Sequence, residues 1–338
     1  MKKTGRKPAA LQLIVFCIGI IAICPLRINL MMGNMDPLTG FYLDSADLKV
    51  KAVYIILAVA ASAILVLSFV RRKSYTPALI DGRNIPLALA SLVFAGLTAY
   101  ETYDHWANGR EPSATLLQKV ELSDALLKII PVFAALTVLW LLVYAISFIS
   151  GKSIISKLKI TALFPFLWIA AELVNCLIIT IGYLNVSELT LQMLSLCARL
   201  WFVFSLARLT SGVEDGSASR LSLTSAALSL LLTLSYTLPR IILTLSGNAE
   251  KLVLGYPLSF ADIGFCVFAL VFALTMFLAP PRPEKIEENA AEEAPQDGSV
   301  INAPAVFPVL HAEDADIAFP ADSVTEVTGD TPDANAEE

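Results

Sequence analysis

The sequence predicts an all-α integral membrane protein: an eight-helix transmembrane bundle built from four hairpins, with a disordered acidic C-terminal tail. Hydrophobic residues make up 56% of the 338-residue chain and charged residues only 16%, against about 25% in an average soluble domain. Half of the 30 acidic residues follow Arg282, but only one of the 24 basic residues does. The body of the chain therefore cannot build a surface that faces water, whereas the tail has the composition of a soluble extension.

The eight expected helices follow from the lengths of the apolar runs. A hydrocarbon core near 30 Å takes roughly 20 helical residues, and eight such runs fit between residues 10 and 281 with short connections. They cover residues about 10–31, 50–70, 84–101, 127–150, 160–184, 187–208, 221–245 and 257–280. A basic segment, 1–9, precedes them, and the acidic tail, 282–338, follows them.

The first apolar run is expected to remain in the chain as a helix, although its basic start also fits a signal peptide. No pattern of small residues typical of a cleavage site follows the run, which ends in Cys24, Pro25 and Leu26. A lipoprotein cysteine is equally disfavoured, because Ile23 stands before Cys24 where a small residue is expected.

The distribution of Lys and Arg predicts the orientation. With a cytoplasmic N-terminus, the inside segments hold 15 of these residues and the outside segments hold 8. Since positive charge favours the inside of a membrane, both termini are expected in the cytoplasm. Together with the compact loops and the absence of organelle signals, this bias predicts a multi-pass protein of a bacterial cell membrane, embedded in the lipid bilayer.

The four even-numbered helices begin with a similar short sequence pattern, in which a residue that often caps helices precedes an Asp or Glu. The acids of these patterns are Asp47, Asp124, Glu188 and Asp262. Such residues satisfy free N–H groups and meet the positive end of the helix dipole, so the simplest interpretation is four N-caps. The first and last hairpins also match at an offset of 215 residues, as with Asp47 and Asp262, which suggests an internal duplication.

Arg27 and Arg240 each follow a proline, Pro25 or Pro239, in the outer part of an apolar run. Proline frees a backbone carbonyl and can kink a helix. Two interpretations stay open: the arginines extend to the outer interface, or they turn inward to a shared polar pocket. The residues that would join them in that pocket are Glu101, Asp104 and Asp262.

Glu172 and Arg199 are the ionisable residues nearest the middle of their spans. They lie 13 residues before and 14 residues after the expected turn at Asn185, so both are roughly 20 Å from it. We expect an intramembrane pair, because an unpaired charge there costs several kcal/mol. The pair is either a structural ion pair that holds the two helices together or part of a substrate, proton or anion pathway. The candidate pocket lining consists of Asn175, Gln192, Arg27, Arg240, Asp262 and Glu101.

The sequence shows no sign of catalysis or cofactor binding. The two histidines, His105 and His311, are far apart, so no metal centre built on histidine is expected. All five cysteines lie in apolar runs, which excludes a secreted disulfide framework. The motifs HExxH, GxSxG, GxxxxGK[ST] and GxGxxG are missing. We therefore expect a protein that is not an enzyme and that binds no cofactor, metal or nucleic acid.

The tail cannot bury enough apolar surface to offset its ordering entropy, so it is expected to be disordered. Two short apolar islands, 305–310 and 317–320, are candidate docking peptides for a cytoplasmic protein. The alternative is an inert acidic extension.

Two functional classes follow. The first is a polytopic membrane protein without enzymatic activity, in a scaffold, sensor or assembly role. The second is a small-molecule or ion transporter with a polar intramembrane pocket around Glu172 and Arg199. Transport predicts that the polar side chains converge on a solvent-reachable cavity, whereas a scaffold predicts that they pair locally.

Overall fold

The computed structural model describes residues 6–70, 83–108, 124–151, 154, 159–181, 187–211, 216–253 and 258–278. Its helices are α1 (Arg6–Gly33), α2 (Asp47–Val70), α3 (Ile85–Asn108), α4 (Asp124–Ser150), α5 (Phe164–Ile181), α6 (Ser187–Thr210), α7 (Gly216–Leu245) and α8 (Phe260–Leu278). All eight are long and apolar enough to cross a membrane. This confirms the predicted helical class with eight helices of spanning length. Residues 1–5 and the predicted tail 282–338 lie outside the described residues.

Helices α3 to α8 form a closed ring, because each packs against the next and α8 returns to α3. Helices α1 and α2 form a hairpin that packs against α7. Helix α7 therefore contacts α1, α2, α6 and α8, and most of its spanning segment is buried.

The side chains of α7 explain how it can be so enclosed. Small side chains let helices approach closely, and buried hydroxyl groups can bond back to carbonyls of the preceding turn. The Ser225 hydroxyl, for example, donates to the Leu221 carbonyl at 2.7 Å. The buried hydroxyl residues along α7 are Ser222, Thr224, Ser225, Ser229, Thr233, Ser235 and Thr237.

The helices alternate in direction. At one end of the bundle, Arg27 near the end of α1 and Arg240 near the end of α7 meet Glu188 in the first turn of α6. At the other end, the N–H of Asn84 before α3 donates to the Phe148 carbonyl of α4 at 3.0 Å. We name the first of these the Glu188 end.

An aromatic cluster spans the interior of the ring. Phe94 of α3 lies 5.8 Å from Phe268 and 6.2 Å from Trp168, measured between ring centroids. Rings at such separations stabilise a core beyond the area that they bury. The cluster ties α3, α4, α5, α6 and α8 together through Phe94, Tyr144, Trp168, Phe202, Phe265, Phe268 and Phe272.

The connection between α1 and α2 is an ordered turn. The Asp36 carboxylate accepts hydrogen bonds from the Leu38 N–H at 3.0 Å and the Thr39 hydroxyl at 2.6 Å. Gly40 has a φ of 73°, a conformation that a residue without Cβ adopts at little cost. The turn brings Tyr42 back over the end of α1, where its hydroxyl meets a buried arginine.

The close approach of α3 to α8 generates a prediction. A Cβ atom at Gly264 would lie 2.9 Å from Cδ2 and 3.0 Å from Cα of Phe94. We expect Gly264→Ala to lower the free energy of unfolding in detergent by about 1–3 kcal/mol, because a backbone atom must move. The matched control is Gly96→Ala on α3, where a Cβ atom meets nothing within 4 Å. An equal effect of the two substitutions would contradict the close packing at Gly264.

Candidate functional site

Glu188 holds two arginine side chains at the Glu188 end. Its Oε1 pairs with Nη2 of Arg27, and its Oε2 accepts from Nη2 of Arg240 at 2.6 Å. The exposed fractions of the three side chains are 0% for Glu188, 1% for Arg27 and 5% for Arg240. One carboxylate therefore offsets the desolvation of two guanidinium groups, and removing it would leave both charges buried.

A phenol and a hydroxyl complete this cluster. The Tyr42 hydroxyl accepts a hydrogen bond from Nη1 of Arg27 and another from the Ser187 hydroxyl at 2.8 Å. Burial raises the pKa of the Tyr42 phenol, and the charge of Arg27 offsets this only in part. The phenol therefore remains neutral and serves as a hydrogen-bonding group.

A second cluster surrounds Arg199, which lies in the middle of α6. Its Nη1 pairs with Oδ1 of Asp262 in the first turn of α8 at 2.6 Å. Its Nε donates to the Thr233 hydroxyl at 3.1 Å, and its Nη2 donates to the Tyr236 hydroxyl. The Tyr236 hydroxyl in turn donates to Oδ2 of Asp262 at 2.7 Å. These bonds join α6, α7 and α8 in a closed cycle.

Tyr236 links the two clusters. The guanidinium carbon of Arg240 lies 4.9 Å from the centroid of the Tyr236 ring, a distance at which a cation and an aromatic face attract each other. We call the combined set the polar network. Its members are Arg27, Tyr42, Ser187, Glu188, Arg199, Thr233, Tyr236, Arg240 and Asp262.

Glu101 of α3 attaches to the network through the start of α8. Its carboxylate accepts the Ala261 N–H at 2.6 Å and the Ser259 hydroxyl at 2.9 Å. The Ser259 oxygen accepts the Asp262 N–H at 3.1 Å, so Ser259 is the N-cap of α8. The negative charge near this helix end comes from α3 as well as from α8 itself.

The predicted partner of Arg199 requires a correction. Phe166 of α5 and Phe204 of α6 are in contact, with centroids 6.2 Å apart, which sets an antiparallel register that places Glu172 near the depth of Arg199. The side chain of Arg199, however, points towards α7 and α8 and forms its ion pair with Asp262. The predicted pairing of Glu172 with Arg199 is therefore replaced, because distance from a turn fixes depth but not the rotation of a helix.

The arginines near the prolines turn inward. Both Arg27 and Arg240 are buried rather than extended to an interface, and they converge on Glu188. Tyr236 connects Arg240 to Asp262, because its ring faces the Arg240 guanidinium and its hydroxyl donates to the Asp262 carboxylate. Asp104, the other acid proposed for a shared pocket, is exposed and accepts a hydrogen bond from the Asn108 amide at 2.7 Å.

Sequence reasoning missed the central role of Glu188, because its position at a helix start fits an N-cap equally well. The available signal was the pair of arginines, since two buried cations at one depth require an anion. The roles of Tyr42 and Tyr236 had no sequence signal.

The two predicted amides lie outside the hydrogen bonds of the polar network. Asn175 is buried, and its amide oxygen has no hydrogen-bond partner among the described residues. Gln192 is half-buried on α6. Within the described ranges, no group of three or more His, Cys, Asp and Glu side chains could hold a metal ion.

The chemistry of the polar network is that of local charge pairing, with three guanidinium groups shared between two carboxylates. Its carboxylates face guanidinium groups, and the Tyr236 hydroxyl bridges between them. Comparison of the chain with protein-family models, curated proteins and solved structures finds no match. The geometry of the site is therefore the basis for inferring the function of the chain.

Removal of the Glu188 carboxylate is the most direct test of the first cluster. We expect Glu188→Gln to lower the free energy of unfolding in detergent by about 3–5 kcal/mol, because two buried guanidinium groups lose their counterion. The control is Asp47→Asn, which removes an ion pair with Lys51 whose partners are each 65% exposed. Solvent screens that pair, so little change is expected. Equal losses in both variants would contradict the role of Glu188.

A double-mutant cycle tests the corrected partner of Arg199. Arg199→Gln and Asp262→Asn are expected to show a coupling energy of about 0.5–3 kcal/mol, because the double variant leaves neither charge unpaired. The same cycle with Glu172→Gln in place of Asp262→Asn should give a smaller coupling energy. Unfolding of each variant in detergent supplies the values, and the reverse order would restore the pairing of Glu172 with Arg199.

Proposed function

We propose that this chain is a multi-pass integral membrane protein without enzymatic activity, which acts as a scaffold, sensor or assembly factor. The observation that carries the proposal is the local pairing of the charged groups in the polar network. Local pairing is the arrangement expected of a static framework, in which buried charges fix the packing of the helices and bind no solute.

The outer faces of the helices support insertion into a bilayer. Large apolar side chains there are strongly exposed, including Ile21 at 72%, Phe69 at 74% and Ile55 at 62%. Monomeric soluble proteins rarely present extended apolar surface to water. Lipid around the bundle would cover these side chains.

The cytoplasmic position of both termini and the cell-membrane location rest on the excess of Lys and Arg in the inside segments. A cytoplasmic partner for the acidic tail is proposed from the apolar islands 305–310 and 317–320. Transport remains the alternative function, and the burial of Arg27, Arg199 and Arg240 with their partners argues against it.

Cysteine accessibility distinguishes the two functions. Ser195 is fully buried beside Thr233, with their hydroxyl oxygens 2.8 Å apart. In a static framework, a cysteine in Ser195→Cys should stay unreactive towards a membrane-impermeant maleimide on both sides of the membrane. In a transporter it should react from at least one side, because a solute pathway admits water.

The control for labelling is Ser45→Cys, which lies in the exposed connection between α1 and α2. It should react in intact cells, since the proposed orientation places this connection outside. Labelling of Ser195→Cys in folded protein would favour transport, and protection of Ser45→Cys in intact cells would contradict the orientation.

A further inference from the structure

The facing sides of α3 and α5 carry oxygen atoms beyond those of the polar network. Phe94 of α3 contacts Trp168 of α5, with ring centroids 6.2 Å apart. Because the two helices run in the same direction, this contact sets their register, and residues four and seven positions later share the same faces. The side chains that follow the contact towards the Glu188 end are Thr98, Glu172, Glu101 and Asn175.

Two of these oxygen atoms are buried without a hydrogen-bond partner among the described residues. They are the hydroxyl oxygen of Thr98, a residue that is 1% exposed, and the amide oxygen of Asn175, a residue that is 4% exposed. Buried polar atoms in native structures are nearly always bonded, and an exception calls for an explanation such as an ion. Thr98 lies between Phe94 and Glu101 on the face of α3 that contacts α5 and α8.

Two carboxylates share these helix faces with the neutral oxygens, Glu101 on α3 and Glu172 on α5. Glu101 lies within electrostatic range of Glu172 and of Asp262. The charge of Asp262 is met by Arg199. Glu101 accepts hydrogen bonds from Ser259 and Ala261, which use part of the four lone-pair positions of a carboxylate.

The difference in depth between the two neutral oxygen ligands suits a small ion. Thr98 and Asn175 differ in depth by three residues in this register, which is about 4.5 Å along a helix. An oxygen-bound cation holds its ligands at about 2.3–2.6 Å, so two ligands of one ion can differ in depth by about this amount. Carboxylate and carbonyl oxygens are the ligands that hard cations prefer.

We propose that α3 and α5 form a binding site for a small hard cation, with the Thr98 hydroxyl and the Asn175 amide oxygen as neutral ligands and Glu101 and Glu172 as the anionic ones. A bound cation would connect two helices that α4 separates in the ring. The site goes beyond the proposed framework role, and it supplies a ligand class for a sensor.

The test uses the full chain purified in detergent. The melting temperature is measured against NaCl and, separately, against CaCl2, with choline chloride keeping the ionic strength constant. We expect one of the two cations to raise the melting temperature with a saturable midpoint, because a ligand that binds only the folded state stabilises it. The two arms distinguish a monovalent from a divalent ion.

Variants assign the effect to the site. Thr98→Val and Asn175→Leu should each raise the midpoint concentration at least about tenfold, since even the loss of an outer partner of a metal ligand has that effect. Thr98→Ser keeps the hydroxyl and should retain the response. The matched control is Thr137→Val on α4, which is equally buried but whose hydroxyl donates to the Phe133 carbonyl. Its midpoint should equal that of the parent.

The proposal is overturned if neither cation gives a saturable rise, or if the midpoint is the same in Thr98→Val and Asn175→Leu as in the parent. Should those variants fail to fold, Asn175→Asp adds charge at the site and is expected to lower the midpoint, and an unchanged midpoint overturns the proposal as well. Maleimide labelling of Ser195→Cys reports separately on the framework role, so the two failures are distinguishable.

Discussion

The pairing of Glu188 with Arg27 and Arg240 is the constraint on which the packing of α1, α6 and α7 depends. Two guanidinium groups are buried, and a single carboxylate serves both. Both arginines must therefore reach the first turn of α6, which brings the ends of α1 and α7 together. Tyr236 then transmits this arrangement to Arg199 and so to the start of α8. These linked ion pairs thus fix the ends of α1 and α7 and the starts of α6 and α8. Apolar packing alone would leave these helices free to rotate about their axes.

The sequence predicts the helices well because bilayer-length apolar runs depend on composition and length alone. It also predicts that Glu172 and Arg199 lie at similar depth, since each residue along a helix advances by a fixed rise. Their pairing could not be predicted in the same way. The face that a helix turns to its neighbours depends on which helices surround it, and the sequence places neither α7 nor α8 beside Arg199.

A repeated motif does not ensure a repeated role. Asp47 and Asp262 stand at matching positions in the first and last hairpins, yet Asp47 is exposed beside Lys51 whereas Asp262 pairs with Arg199 inside the bundle. The difference arises from the surroundings of the two helices, because α8 lies in the ring between α7 and α3 while α2 packs chiefly on α1 and α7. If the hairpins arose by duplication, packing has since separated their functions.

Stability alone does not account for the polar network. Replacing a buried ion pair by apolar side chains of similar size is often neutral or stabilising, so a membrane bundle has simpler ways to hold its helices. The ion pairs instead fix the rotation and the register of each helix relative to its neighbours, which uniformly apolar faces would not specify. The register of α8 also determines where the Glu101 carboxylate of α3 lies, because Ser259 and Ala261 at the start of α8 donate hydrogen bonds to it. The network therefore sets the position of the Glu101 carboxylate, which lies on the same face of α3 as Thr98, whose hydroxyl oxygen has no hydrogen-bond partner among the described residues.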